Sequence, residues 1–291
     1  MEKDLIFKIE DWRGESIRAY QPLSGGSIGK SYHIKFKDGS SCFLKTSSNS
    51  STNIDLFQKE ANGLLKIQKT GIIRVPEVLF VDKDIILLEY INLGEPKDDF
   101  FINFGEKLAK LHSNSSARFG YSEDNYIGST LQLNIANKNE SINWSDFYYH
   151  KRLLFQYKLA EKNKLIKEEL KNGFLLLENR IEEILEGSEE KPCLIHGDLW
   201  QGNFLCDLDS NPALIDPAVY YGHREAEIAM TRLFGGFPEE FYLAYNKTKP
   251  LAQGYDYREN IYFLYHILNH LNLFGSRYYT QAVRLVWSYL H

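Results

Sequence analysis

The feature that most constrains this chain is a change of hydrophobic period about a third of the way along it. Tyr32-His33-Ile34-Lys35-Phe36-Lys37 alternates apolar and polar residues, and Asp38-Gly39 follows as a hairpin turn. A period of two sends successive side chains to opposite faces of a strand, and Asp-Gly tolerates the positive φ angles of a tight turn. Ser41 to Lys45 runs back as a second strand, while Val78 to Val81 and Ile85 to Ile91 form another hairpin around Asp82-Lys83-Asp84. Between the hairpins, Thr52 to Lys69 has helical spacing, with Ile54, Phe57, Ala61, Leu64 and Ile67 as its apolar stripe, Thr52 or Asn53 as cap and Gly71 as stop. After Asn92-Leu93-Gly94 the helical period dominates, over Phe100–His112, 150–171, 172–187, Ile261–Phe274 and Tyr279–Leu290, with a polar loop at Asn134–Asn143. The Lys/Glu run from Lys158 to Lys171 reads as a solvated helix face. The pattern predicts an α+β chain of two lobes: a small antiparallel β-rich lobe with one helix over 1–91, and a larger, mainly helical lobe over 92–291.

Short apolar runs return at 194–215, and they carry the chemistry. Leu194-Ile195-His196-Gly197-Asp198-Leu199-Trp200-Gln201-Gly202-Asn203-Phe204-Leu205 is followed by Ala213-Leu214-Ile215-Asp216-Pro217. Asp198 and Asn203 are five residues apart (203 − 198), and Asp216 comes 18 after Asp198 (216 − 198). Asp or Asn alone is most often a turn residue, because its side chain bonds local backbone. That explanation covers any one of them. It does not cover all three between apolar strands, in this order, behind a lysine and a glutamate. Phosphoryl transfer needs a carboxylate at the acceptor hydroxyl and oxygen ligands for a metal on the triphosphate. An Asp, an Asn and a second Asp at this spacing supply those parts, and one Asp with one Asn suffices for a metal that leaves its other positions to phosphate and water.

Ser24-Gly25-Gly26-Ser27-Ile28-Gly29-Lys30-Ser31 nearly spells a phosphate loop, but Ser24 stands where the first glycine should be. Such a loop must also open a helix, and this one leads into an alternating strand. A glycine loop between two strands can instead fold over a nucleotide, with Gly25, Gly26 and Gly29 letting the backbone approach the phosphates. Lys30 reads as a solvated loop lysine. Lys45 closes the returning strand Cys42-Phe43-Leu44-Lys45, where its ammonium would lie under the loop. Glu60, one residue before Ala61, is placed to reach inward and hold it.

Composition narrows the partners. With 34 Lys+Arg against 39 Asp+Glu, the formal net charge is −5, which argues against nucleic acid as the main ligand. No run approaches the roughly 18 apolar residues of a membrane helix, and MEKDLIFKIEDW has no apolar signal core. Cys42, Cys193 and Cys206 have neither disulfide-framework nor zinc-site spacing. A cytoplasmic protein is expected, with no membrane, nucleic-acid or obligate protein partner.

These residues resemble the protein-kinase-like superfamily in its small-molecule branch, with aminoglycoside phosphotransferases and choline kinases, and most closely the fructosamine-3-kinase (ketosamine kinase) family. The resemblance spans nearly the whole chain. It rests on Leu23-Ser24-Gly25-Gly26, Phe43-Leu44-Lys45-Thr46, Leu87-Leu88-Glu89-Tyr90-Ile91 and Asp124-Asn125-Tyr126-Ile127-Gly128, and above all on His196–Asn203 and Asp216–Glu225. Phe234-Gly235-Gly236-Phe237 and His270–Gly275 complete it. The resemblance implies a two-lobed kinase-like fold, ATP as co-substrate and Mg²⁺ as cofactor. It implies Asp198 as proton acceptor, Asn203 and Asp216 as magnesium ligands, Lys45 on the α/β-phosphates with Glu60 behind it, and Glu89, Tyr90 and Ile91 as the adenine-receiving hinge. The implied reaction is phosphorylation of the 3-hydroxyl of a ketosamine, followed by loss of the sugar, and hence deglycation of proteins or amines.

The sequence departs from the family at Ser27, where many relatives carry a cysteine proposed to allow redox-linked dimers, so no disulfide switch is expected through this loop. The segment Asn134–Asn143 also looks longer and more polar than its counterpart. On the acceptor side, Trp200 could stack on a sugar or pack in the core. His223 and Glu225 could meet an amine, or Arg224 and Glu225 could form a structural ion pair. His112, His266 and His270, with Tyr262, Phe263, Tyr265, Phe274, Tyr278 and Tyr279, read as helix packing. Two alternatives stay open: the same machinery serving an aminoglycoside- or choline-type acceptor, and a catalytically inactive nucleotide-binding module.

Overall fold

The computed structural model describes residues 1–23, 29–47 and 55–290. Gly25, Gly26, Ser27, Thr52, Asn53 and Ile54 lie outside the described residues. The chain opens with helix α1 (Lys3–Arg13), then strands β1 (Ile17–Leu23), β2 (Lys30–Phe36) and β3 (Ser41–Thr46), helix α2 (Leu56–Gln68), and strands β4 (Val78–Val81) and β5 (Ile85–Glu89). The five strands form one antiparallel sheet in the order β1-β2-β3-β5-β4. The β2–β3 turn forms as its sequence requires: Asp38 Oδ1 accepts the Ser40 N–H at 2.8 Å, and Gly39 takes φ +88°.

Strand alternation then sorts the side chains. Ile34, Phe36, Cys42, Leu44, Ile85 and Leu87 point to one face, where Ile9 of α1 completes a small core. Phe43, Ile86 and Leu88 point to the other, against the Phe57–Ala61–Leu64–Ile67 stripe of α2. Lys45 lies two residues after Phe43, so it shares the α2 face. Helix α1 is an element beyond the single helix expected here; its only buried side chain is Ile9, so its amphipathic signal is faint.

The second lobe contains α3 (Phe100–Leu111), β6 (Asn125–Ile127), β7 (Thr130–Gln132), α4 (Trp144–Tyr148), a π-helical turn (Tyr149–Leu153), α5 (Leu154–Lys162), α6 (Glu168–Glu178) and α7 (Ile181–Leu185). It continues through β8 (Cys193–Ile195), β9 (Phe204–Cys206), β10 (Pro212–Leu214), β11 (Tyr220–Gly222), α8 (Arg224–Leu233), α9 (Glu239–Thr248), α10 (Tyr255–Phe274), a 3₁₀ turn and α11 (Tyr279–Trp287). The expected helix boundary at 171/172 falls inside α6. The chain breaks earlier, at Lys164, which adopts φ +59° while Leu165 N–H bonds back to Ala160 O at 2.9 Å. This is a Schellman-type stop built on lysine, so no glycine announces it. The lobes touch where Leu214 N–H bonds to Arg74 O at 2.8 Å, and just past the first lobe Gly94 N–H bonds to Cys206 O at 3.0 Å, where a Cβ on Gly94 would lie 2.4 Å from Asp207 O.

Candidate active site

The sheet contributes a cation. Lys45 Nζ lies 2.7 Å from Glu60 Oε1 and also bonds to Asp216 Oδ1, with Lys45 and Glu60 side chains each 14% exposed. Burial works against the ammonium, but Asp216 and Glu60 outweigh it and hold the Lys45 pKa above that of a free lysine. The backbone at Gly29 closes on the strand that carries Lys45. Gly29 has φ +82°, and a Cβ there would sit 1.8 Å from Thr46 O, so only glycine allows this approach of loop to strand. The chain after this loop is β2, not a helix, as a nucleotide-covering loop requires.

The helical lobe contributes two acidic loops joined by a histidine. After β8, His196 Nε2 donates to Ile215 O at 2.8 Å and its Nδ1 accepts from Asp198 N–H at 3.3 Å. A carbonyl only accepts, so Nε2 carries the proton in this arrangement. Burial lowers the His196 pKa and keeps the ring neutral. Gly197, at φ +88°, lets the turn press on the second loop: a Cβ there would lie 2.2 Å from Ala218 O. Asn203 Nδ2 donates to Asp198 O at 2.7 Å and to Asp198 Oδ2 at 3.1 Å, leaving Asn203 Oδ1 unused by this pair. Asp216 adopts φ +57°, a conformation that Asp tolerates better than most residues, with its carboxylate on Lys45. Burial, then the like charges of Asp216 and Glu227, push the Asp198 pKa well above the ordinary aspartate value, against the opposing bond from Asn203.

Glu227 is a site residue that sequence reasoning missed. From α8 it accepts Gly197 N–H at 2.9 Å through Oε1 and His196 N–H through Oε2, with His112 Nε2 at 3.5 Å. Burial alone would raise its pKa; the His112 bond and the nearby imidazoles hold it below the ordinary glutamate value. A charged residue embedded in the run Ala226, Ile228, Ala229, Met230 was the available signal.

The fructosamine kinase family model matches residues 1–291. The chain is 39% identical over 294 residues to a chloroplastic protein-ribulosamine 3-kinase of Arabidopsis thaliana, covering 97% of this chain and 87% of the relative. It is 40% identical over 269 residues to a protein named probable ketoamine kinase from Vibrio parahaemolyticus, covering 89% and 88%. A solved structure assigned to a fructosamine-3-kinase of Thermobifida fusca superposes with TM-score 0.88 at 28% identity, covering 100% of this chain and 99% of that one. The chain belongs to the fructosamine kinase family. It is a kinase with the two-lobed fold of that family.

In this fructosamine kinase the residues expected on the acceptor side divide. Trp200 stands at the surface two residues after Asp198, 38% exposed and edge-on to Phe234 at 6.0 Å. Ring contacts continue from Phe234 to His270 at 4.9 Å and on to Phe274 and Tyr278. His270, Phe274 and Tyr278, expected to pack helices, thus belong to an aromatic run that reaches Trp200. The expectation for His223 and Glu225 is corrected, since both are sealed inside the lobe. His223 Nδ1 caps α8 by accepting Glu225 N–H at 3.2 Å while Nε2 donates to Ser188 O, and Glu225 is held by Arg258. Arg224 does not pair with Glu225; it binds Glu190. In the segment expected to be the hinge, Glu89 is tied through its carboxylate to Arg74, and the Tyr90 ring lies flat on His33 with centroids 3.5 Å apart.

Proposed function

We propose that this fructosamine kinase phosphorylates the 3-hydroxyl of a ketosamine with ATP, ribulosamine and fructosamine adducts being the acceptors to try first. The observation that carries the reading is the joining of Lys45, Glu60 and Asp216 in one ion-paired group next to the Asp198–Asn203 pair, in a chain whose named relatives are ribulosamine and ketoamine kinases. Lys45 holds the nucleotide phosphates beneath the Gly25–Gly29 loop, with Glu60 aiming its ammonium. The backbone of Glu89, Tyr90 and Ile91 receives the adenine. Asp198 orients the sugar hydroxyl and takes its proton as the oxygen attacks the γ-phosphorus and the bond to ADP breaks. Trp200 gives the sugar a flat apolar face.

The donor set suits magnesium. Asp216 supplies a carboxylate and Asn203 a carboxamide oxygen not used toward Asp198. Among the described residues no cluster of three or more His, Cys, Asp or Glu could hold an ion unaided. Mg²⁺ fits such a site because it takes one or two protein oxygens and completes its shell with phosphate and water. When bound, it neutralises charge on the phosphates.

The lobe boundary is placed near 91/92. A cytoplasmic location and a role in deglycation of proteins or amines fit this chemistry, and among the described residues no helix is long and apolar enough to cross a membrane. The test is consumption of Mg·ATP with ribulosyl-lysine and fructosyl-lysine beside an aminoglycoside and choline panel. Turnover confined to ketosamines supports the reading. Turnover confined to the panel would keep the kinase and overturn the substrate.

A further inference from the structure

Arg152 is the largest fully buried side chain among the described residues, at 0% exposure, and its hydrogen bonds there go to backbone carbonyls and a side-chain amide, not to a carboxylate. An unpaired buried cation is costly, so its neighbours must compensate it. Its guanidinium lies 3.9 Å from the Tyr220 ring centroid, with Phe147 at 5.0 Å and Tyr265 at 5.7 Å. Nη2 donates to Asn134 Oδ1 at 2.7 Å, Nη1 donates to Leu133 O, and Nε has no partner. The residue sits on the π-helical turn Tyr149–Leu153, a local irregularity that often marks a functional place in a helix.

From Arg152 the bonds run in one direction. Asn134 Nδ2 donates to Asn125 Oδ1 at 2.8 Å, and Asn125 Nδ2 donates to Val219 O at 2.9 Å. Gln132 Nε2 donates to the same Asn125 oxygen at 2.8 Å and to Ala218 O at 2.9 Å, while Tyr265 O–H holds Gln132 Oε1 at 2.8 Å. The network therefore ends on Ala218, Val219 and Tyr220, which directly follow Asp216 and Pro217. Ala218 also joins the two acidic loops, since its N–H bonds to His196 O at 2.8 Å and its carbonyl abuts Gly197.

We propose that Arg152 is a positioning residue for the metal–nucleotide site. Acting through Asn134, Asn125 and Gln132, it fixes the 218–220 segment from which both the Asp216 and the Asp198 loops take their geometry. This rests on the reading of Asn203 and Asp216 as metal ligands, and it requires no particular acceptor.

The experiment is calorimetric titration of ADP into the full-length protein with and without Mg²⁺, for wild type, Arg152→Lys and Gln132→Met, beside thermal unfolding. Lysine keeps the charge and loses the two-pronged bond; methionine removes a neutral donor to Ala218 O and leaves the cation in place. In both variants metal-free ADP affinity should stay within about twofold of wild type, while the tightening given by Mg²⁺ falls about tenfold or more, the usual scale for support behind a metal ligand. If Arg152→Lys fails to fold, Gln132→Met carries the same expectation. Wild-type tightening in folded variants, or equal loss of metal-free and metal-loaded binding, would reduce Arg152 to a packing role. Absence of any Mg²⁺ tightening in wild type would overturn the metal reading itself, and this inference with it.

Discussion

Asp198 and Glu225 are both carboxylates of the helical lobe, the first half-buried and the second fully buried, and their surroundings are opposite. Glu225 meets a two-pronged guanidinium, with Arg258 Nε at 2.7 Å and Nη2 at 2.5 Å, and both side chains are almost wholly enclosed. Asp198 has an amide as its side-chain partner, and the charges that raise its pKa, Asp216 and Glu227, share its sign. A buried acid neutralised by an arginine holds helices together. A half-buried acid left among like charges has no counter-charge of its own and stays open to a proton or a cation from outside. The difference teaches that closeness in sequence to a motif is a poor guide to membership of the site, and that charge balance is a good one.

The largest effect that could break this contrast is on turnover. Asp198→Asn should lower kcat by about 10²- to 10⁴-fold, the range for a positioned proton acceptor, while leaving the thermal midpoint unchanged or raised because a poorly compensated charge is removed. Turnover near wild type would take Asp198 out of the reaction. Glu225→Gln should do the reverse. It strands Arg258 without its counter-charge, at a cost on the order of 3–5 kcal/mol, and the folded fraction should keep its specific activity. A loss of activity at an unchanged midpoint would mean that Glu225 serves the site after all.

The same contrast marks what was legible in the sequence. The Asp38-Gly39 turn, period-two strands and the α2 stripe are local signals, and together they put Lys45 and Glu60 on one face before any contact is known. Asp198, Asn203 and Asp216 were legible because they interrupt apolar strands at a recognisable spacing. Arg258 lies 33 residues from Glu225, and the N–H groups that Glu227 holds lie 30 and 31 residues away, so only tertiary structure brings these partners together. The α5 stop escaped notice for a local reason, a lysine occupying the conformation that glycine normally signals.

Acidity sharpens the contrast. Asp198 must be ionised to take a proton, and its pKa is raised, so kcat/KM should fall on acidification at a pH above the ordinary aspartate range of about 4. For stability, a carboxyl whose folded pKa is raised disfavours the folded state increasingly as pH climbs from its unfolded toward its folded value. Relative to wild type, Asp198→Asn should therefore gain stability as pH rises. Glu227 has a depressed pKa, so the stability it contributes is complete above its unfolded value and disappears as pH falls through the folded one. Glu227→Gln should accordingly cost most at neutral pH and little in acid. Thermal midpoints of the two variants between pH 4 and 8 should diverge from wild type with opposite slopes, and parallel lines would reject the assigned directions.

The smallest effect concerns Trp200, which neither family of carboxylates explains. Its ring is 38% exposed beside the Asp198 turn, edge-on to Phe234 at 6.0 Å, and the backbone of Gly202 lies so close that a Cβ there would come within 2.5 Å of the indole. A tryptophan needed only for packing would bury that area, since the indole is among the largest apolar surfaces a chain can remove from water. Holding it open two residues after Asp198 suits a flat partner such as the sugar ring of the proposed acceptor. Aromatic stacking of about 0.5–1.5 kcal/mol corresponds to roughly a 2- to 12-fold change in affinity. Trp200→Ala should therefore raise the KM for a ketosamine by about that factor and leave the KM for ATP unchanged, with Trp200→Phe recovering most of the loss. If the KM for ATP moves instead, Trp200 belongs to the nucleotide side, and the acceptor must be held by side chains other than this aromatic run.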